Sequence, residues 1–369
     1  MFISVGFMSL MAATTLAIDV GMFMTARNQA QNSADAAALA GAVALVQNSY
    51  TDRSGTGPAV RSALLTAGQN LVMRDEVDVR VADVTFPVGP GGQNNRVRVQ
   101  VYRTDDRSNP LPTLLGQFFA VPTVDITAAA TAEASPANAA TCVKPFTIPD
   151  RWIEKQTPPW DSEDDEFNMF GSGGKVIANP DIYIPVGEPG YTGYDAERDR
   201  GMRIRLKSDN STKVAPSFYN PWAMPGSTGA EDYRTNIAEC NTAVIPIGAP
   251  MTPEPGNMVG PTSQGARDLI AKDPNAYWDD YCDCIKGSAF GGKSPRVAVI
   301  PLYDPVYYAD GKANGRNASL KIANYLGFFL ERMEGNEVIG RITPVAGVHD
   351  GRAGPAPDGA FPKIIRLVQ

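Results

Sequence analysis

The chain has 369 residues, of which 43% are hydrophobic, 20% charged and 8% aromatic, with 35 Gly and 30 Pro. That is enough apolar side chain for two or three packed domains and too much for a disordered chain. Lys and Arg total 33 against 40 Asp and Glu, a net charge of -7 with no basic block, which argues against nucleic acid as a partner because phosphate neutralisation needs clustered cations.

The first element is a helix. Residues 1–18 carry no charged side chain, and a run of about 20 apolar residues matches a ~30 Å hydrocarbon core. A cleaved secretory signal would open with a basic region and have a shorter apolar stretch. A transmembrane helix is therefore expected, and the lack of a basic residue ahead of it points to a processed leader. Asp19 falls near the end of this run. Its carboxylate either meets a donor on a neighbouring subunit or sits solvated in the headgroup layer.

The helical pattern continues to the turn residues after Asn48. Arg27, Gln31 and Asp35 recur every four residues as a polar stripe. On an adjacent face Ala26, Ala30, Ala34, Ala38 and Ala42 form an unbroken ladder, a spacing that lets helix backbones approach closely. Alanine is also the best helix former, but propensity alone does not require one strict ladder. Close helix packing through this face is the expectation.

A second helix opens at Pro58, in PAVRSALLTAGQNLVMR. Period-two alternation then predicts strands at VDVRVADVTF (77–86), RVRVQVYR (96–103) and VDITAAATAEA (124–134), with a Gly-rich turn PVGPGGQNN between the first two. They form a small antiparallel sheet. SPANAAT then reads as a linker. Beyond it, KVIANPDIYIPV, GMRIRLK, TAVIPIG, PRVAVIPLYD and the terminal PKIIRLVQ read as strands. TSQGARDLIAKD reads as a helix and LKIANYLGFFLERM as a core strand. The fold class is α+β, divided into a helix at 1–49, a small helix-plus-sheet domain at 50–135 and a β-rich domain at 136–369.

Motifs for turnover are weak. GSAFGGKS (287–294) satisfies the P-loop pattern literally, but a strand-like segment follows it where a helix is needed. His349 lies in a loop with no serine elbow anywhere in the chain. PSFYNPW sets Phe218, Tyr219 and Trp222 in a proline-flanked turn. The acidic run DSEDDEF (161–167) carries the ligand type calcium takes, and a solvated loop accounts for it as well. No enzyme activity and no cofactor is expected, calcium being the one ion the composition would suit.

The four cysteines are Cys142, Cys240, Cys282 and Cys284. Their spacing does not build a zinc site, and an even number beyond a membrane helix fits disulfides in an oxidising compartment. A bridge across the single residue between Cys282 and Cys284 is disfavoured by geometry. That leaves two pairings, each joining Cys142 and Cys240 to the Cys282/Cys284 pair.

The segment LAIDVGMFMTARNQAQNSADAAALAGA (16–42) resembles the TadE/TadG-like family of Flp (Tad) pilus assembly proteins, most of all its TadG members. Asp19, Gly21, Gln31, Asp35, Ala36, Ala37, Ala38 and Leu39 fall where the family has its Asp-Val-Gly and Gln…Ala-Asp-Ala-Ala-Ala-Leu motifs. The likeness is diffuse afterwards. Some members carry a von Willebrand A domain with Asp-x-Ser-x-Ser. Asp209, Asn210, Ser211, Thr212 and Lys213 fail that pattern at the last position, so no metal-dependent adhesion site is expected. The resemblance implies a pilin-like helix in the bacterial inner membrane and a large periplasmic domain, which enters a pilus or is exposed at the cell surface. Its partners would be other pilus or pseudopilin subunits, through the N-terminal helix. It implies a minor pilin or pseudopilin. The alternative is a membrane-anchored adhesin whose C-terminal domain binds a host or surface ligand.

Overall fold

The computed structural model describes residues 2–49, 51–89, 94–208, 213–227, 229–290, 294–313 and 320–368; within these, the side chains of 2–5, 8, 9, 11, 12, 15, 16, 312 and 313 lie outside the description. The fold is α+β. The chain forms two compact units, Met1–Ser135 with Ile365–Gln369, and Pro136–Ile364. The second is thus an insertion ahead of the last strand of the first.

Unit 1 begins with α1, Phe2–Gln47, whose 46 residues run about 69 Å at ~1.5 Å each. It has no proline and a high alanine content, so little opposes its length. It ends where the amides of Asn48 and Ser49 both turn back to the Ala44 carbonyl. The second helix, α2, spans Pro58–Gln69, with proline in its first turn. It stops short of the expected Arg74 for a local reason. The Asn70 side chain donates to the Thr66 carbonyl at 2.7 Å, and Met73 and Arg74 adopt left-handed backbone with φ of 50° and 75°. The Gln29 side-chain oxygen on α1 accepts the Met73 N–H at 2.7 Å, holding that turn.

The unit 1 sheet runs β1 (Val84–Thr85), β2 (Arg96–Arg103), β3 (Ile126–Pro136) and the C-terminal strand Lys363–Val368. β2 and β3 are antiparallel, in register from Arg96 opposite Glu133 to Arg103 opposite Ile126. Alternation along β2 buries Val97, Val99 and Val101 together with the alanines of α1 and with Ala59, Val60, Ala63 and Ala67 of α2. The strand expected at 77–86 contracts to Val84–Thr85. Ahead of it, Val81–Asp83 turns as a 3-10 helix, because the Asp83 carboxylate takes the Arg80 N–H and both Arg107 terminal nitrogens.

The terminal strand, expected in the C-terminal domain, completes this sheet instead. Glu133 explains part of the pull: Arg96 donates to it at 2.8 Å, Arg366 at 3.3 Å, and the Ser135 hydroxyl donates as well. Burial opposes its ionisation, yet these donors hold its pKa below the ordinary carboxylate range.

Unit 2 centres on a seven-stranded sheet. Its strands are β4 (Phe146–Pro149), β5 (Arg203–Leu206), β6 (Asn220–Ala223), β7 (Pro250–Pro253), β8 (Val297–Tyr303), β9 (Leu320–Glu334) and β10 (Glu337–Ile342). Their order is β7-β6-β4-β8-β9-β10-β5. β4 and β8 are parallel, Leu302 standing opposite Ile148; β8, β9, β10 and β5 follow as antiparallel neighbours. Gly335, at φ 64°, makes the tight turn from β9 to β10. The helices are α3 (Gly229–Ala238), α4 (Val259–Ala271) and α5 (Pro305–Ala313). The core strand read from LKIANYLGFFLERM is β9, and TSQGARDLIAKD falls largely within α4.

Two expectations fail here. KVIANPDIYIPV is largely irregular, pairing only as single bridges at Val176 and Ile182. SPANAAT is not a linker. Ala139 and Ala140 are buried and pair with Pro246 and Ile245, and Asn138 bonds both ways with the 350–354 loop.

Candidate functional site

The site with the most chemistry in its sequence is α1, and its two ends have opposite surroundings. From Ala26 onward the small-residue face is interior: Ala26, Ala34, Ala38 and Ala42 are 0% exposed and Ala30 is 1% exposed. Their partners are α2 and the sheet of the same unit. The Ser33 hydroxyl reaches the Ala67 carbonyl at 3.3 Å. Gly41 belongs to the same surface; a β-carbon there would lie 2.8 Å from the Val97 side chain and 3.3 Å from the Ala59 carbonyl. Small residues thus bring two helices and a strand within backbone reach. The ladder is consumed by this chain's own packing. In the polar stripe, Gln31 donates to Asp35 at 2.8 Å and to the Ala129 carbonyl of β3 at 3.1 Å, tying helix to sheet.

Asp19 is 5% exposed. Its carboxylate is buried against amides of this chain's own backbone. One oxygen accepts the Leu114 N–H at 3.0 Å, and the other accepts the Gly116 N–H at 2.6 Å. The Leu115 N–H is shared between both, at 3.3 and 3.2 Å. These amides open the 3-10 turn Gly116–Phe119, where unpaired N–H groups gather. Hydrogen bonds to a charged acceptor are the stronger kind, contributing about 1.5–3 kcal/mol each. Composition hints at this loop: between Arg107 and Asp125 there is no charged side chain, and LLGQFFAV lies at its centre. Alternation and turn signals do not reveal it, because its order comes from a contact nearly a hundred residues away.

Among the described residues, no helix is long and apolar enough to cross a membrane. The uncharged run expected to span, 1–18, includes residues 1–5, 8, 9, 11, 12, 15 and 16, whose side chains lie outside the described residues. Phe7, Leu10, Ile18, Val20 and Met24 are described and exposed.

The cysteines pair as Cys142–Cys240 and Cys282–Cys284, which overturns the expected cross-pairing. A bridge across one residue needs a local turn that brings the two Cβ groups together. Asp283 is left-handed at φ 46°, and the two Cα atoms are 5.2 Å apart, inside the range a disulfide spans. Asp279 steadies this turn by accepting the Tyr281 and Cys282 amides. Cys142 lies against the end of α3, its N–H donating to the Asn241 carbonyl at 2.9 Å. Beside it, the buried Lys144 ammonium donates to the carbonyls of Ile237 and Glu239 at 2.7 and 2.8 Å, a cation at a helix C-terminus. Burial, with the Lys272 charge nearby, draws its pKa down to about 7.

The remaining polar groups of unit 2 hold structure together. Asp150 accepts the Tyr191 and Tyr183 hydroxyls at 2.8 and 3.1 Å and the Tyr194 and Arg151 amides at 3.0 and 2.9 Å. Burial nevertheless raises its pKa to about 6. In the acidic run, Asp165 is buried, whereas Glu163 pairs with Arg203 and Glu166 with Lys213. Among the described residues no group of three or more His, Cys, Asp or Glu is arranged to hold a metal ion. In the P-loop look-alike, residues 291–293 lie outside the described residues. Ser288 and Ser294 both donate to Asp273, and β8 follows. Residues 209–212 of the Asp-x-Ser-x-Ser comparison also lie outside the described residues. Tyr219 and Trp222 are buried, Phe218 is half-buried, and His349 is exposed in a loop.

Residues 1–44 match the Flp pilus-assembly TadE/G-like family model. The matched segment takes in most of α1, including the whole ladder from Ala26 to Ala42. This similarity supports the Tad family and a role associated with Tad pilus assembly. No curated protein and no solved structure matches the chain.

Proposed function

We propose that the chain is a structural component of a Tad-type pilus assembly system, a minor pilin or pseudopilin of the TadG kind. In this reading α1 enters the bacterial inner membrane, the bulk of the chain is periplasmic, and the protein works by assembly without catalytic turnover or a cofactor. The observation that carries it is the change of character along α1 at Asp19. From Ala26 onward the small-residue face of the helix is packed into its own unit; before Asp19, an uncharged run exposes Phe7 and Leu10. The Thr14 hydroxyl bonds back to the Leu10 carbonyl at 2.9 Å, so this polar group needs no water. The disulfides suit an oxidising compartment.

The test is fractionation and filament assembly in a piliated bacterium. The protein should stay with membranes through alkaline carbonate washing, and its deletion should abolish pili. Recovery of the full chain in the soluble fraction, outside any filament, would sink the reading.

One observation favours the adhesin alternative. Unit 2 is inserted between β3 and the C-terminal strand, which are neighbours in the unit 1 sheet. Residues 137–362 are therefore replaceable by a short linker with both strands kept. Pili that form normally on that variant but no longer adhere would assign unit 2 to ligand binding; loss of pili would assign it to assembly.

A further inference from the structure

We infer that the loop from Thr113 to Val121 is a second membrane contact, lying in the headgroup layer of the bilayer that α1 enters. The inference rests on the reading of α1 as the anchor. The loop leaves and returns through a two-stranded ribbon, Leu111–Pro112 with Thr123–Val124. It is ordered internally: the Thr113 N–H donates to the Pro122 carbonyl at 2.9 Å, and its hydroxyl to the Val121 carbonyl at 2.7 Å. Gly116 sits where a β-carbon would come within 2.9 Å of both the Thr113 hydroxyl and the Val121 carbonyl. This compact frame turns its apolar side chains outward. Phe118 is 77% exposed, Phe119 58%, Leu114 56% and Val121 48%. A loop this well ordered would ordinarily fold its aromatic residues inward, so four exposed large apolar side chains on one tip mark a contact surface.

The occupant follows from where the tip is fastened. Its amides grip Asp19, the first charged residue of α1, at the end of the uncharged run 1–18. Ile18 and Val20, on either side of Asp19, are also exposed. Two uncharged segments, 1–18 and 108–124, are thus joined at one level, with charge resuming at Asp19, Arg107 and Asp125. Where an anchoring helix passes from lipid to water, a collar of Phe, Leu and Val beside it meets the acyl–headgroup boundary. Asp19 is the positioning residue: three backbone amides cap its carboxylate, which fixes the loop to the helix at this level.

The experiment uses the full-length chain with Phe119→Cys, labelled with an environment-sensitive fluorophore while the described disulfides remain closed. It is reconstituted in vesicles of phosphatidylethanolamine and phosphatidylglycerol, with Ser54→Cys as the water-exposed reference. The expected result is co-flotation and a blue-shifted label at 119, quenched at least about two-fold more by a shallow than by a deep lipid quencher, as an interfacial contact requires. Co-flotation with a label as polar as that at 54 overturns the loop contact and leaves the anchor standing. A blue-shifted label that no lipid quenches assigns the tip to a protein partner instead, and overturns the proposal. Failure to co-float overturns anchor and loop together.

Discussion

Gly116 donates its backbone N–H to the Asp19 carboxylate at 2.6 Å, across 97 positions of sequence. A residue of the family-matched helix is thereby the organiser of a loop far along the chain. Asp19→Ala should leave three amides without their acceptor. Leaving a buried donor unsatisfied costs about 1–3 kcal/mol, and these amides are only part-buried, so stability of unit 1 should fall by about 1 kcal/mol or more. Hydrogen exchange at Leu114, Leu115 and Gly116 should accelerate most. Unchanged protection at those amides would show that the loop holds itself without Asp19.

The ladder makes a packing prediction. Ala34→Leu and Ala38→Leu keep helix propensity but insert bulk where no exposure remains. Overpacking of this kind costs about 1–3 kcal/mol per site. The urea midpoint of the double variant should drop, whereas Asn32→Leu, on the exposed side of α1, should leave it nearly unchanged. Equal midpoints would mean that α1 and α2 do not pack in solution as they do here.

Each disulfide should have its own weight. Cys142–Cys240 closes a loop with a sequence separation of 98, and Cys282–Cys284 one of 2. On the chain-entropy account the long loop contributes about 4–5 kcal/mol and the short one far less. Replacing Cys142 and Cys240 by serine should lower the melting temperature strongly, and replacing Cys282 and Cys284 only slightly. Non-reducing peptide mapping should recover the second bridge within a single peptide. A peptide joining Cys142 or Cys240 to the Cys282/Cys284 pair would contradict these pairings.

Asp150 predicts a pH dependence. Its pKa is about 6 in the folded state against an ordinary 3.8, so between those values the folded chain binds the extra proton. The stabilisation from the protonated carboxyl is complete below about pH 4 and is lost as pH rises through about 6. At about 1.4 kcal/mol per pKa unit, the loss approaches 3 kcal/mol. Asp150→Asn, a neutral isostere, should be insensitive to this change. The difference in unfolding free energy between wild type and variant should therefore shift against wild type from pH 4 to pH 6.5. A difference independent of pH would place the Asp150 titration elsewhere.

The C-terminal strand offers a fifth check. A chain ending at Ile364 loses the Arg366 contact to Glu133 and uncovers the edge of β3. Unit 1 should weaken by roughly 1–3 kcal/mol, with faster amide exchange along β3. No change in β3 protection would show that the strand is dispensable.

What sequence alone determined is local. The alanine ladder of α1, the alternation of β2 and β3, the apolar run that became β9 and the start of α2 at Pro58 are written in neighbouring residues, because helix and strand periods repeat over a few positions. The contrast along α1, uncharged before Asp19 and alanine-rich after it, is legible for the same reason. Tertiary structure decided what each surface meets. Periodicity shows that the ladder packs closely but not that α2 of the same chain covers it. The sequence places Asp19 at the end of the uncharged run but leaves its surroundings open, and only the fold brings the amides of 114–116 to it. Spacing misjudged the cysteines because the left-handed turn at Asp283 lies between two short strands, Tyr277–Asp279 and Cys284–Lys286, whose pairing spacing does not show, and nothing in KIIRLV says that it closes a sheet begun near residue 84. Each of these depends on closing a long loop between distant segments, and the partner that wins is chosen by packing and hydrogen bonding across the whole unit.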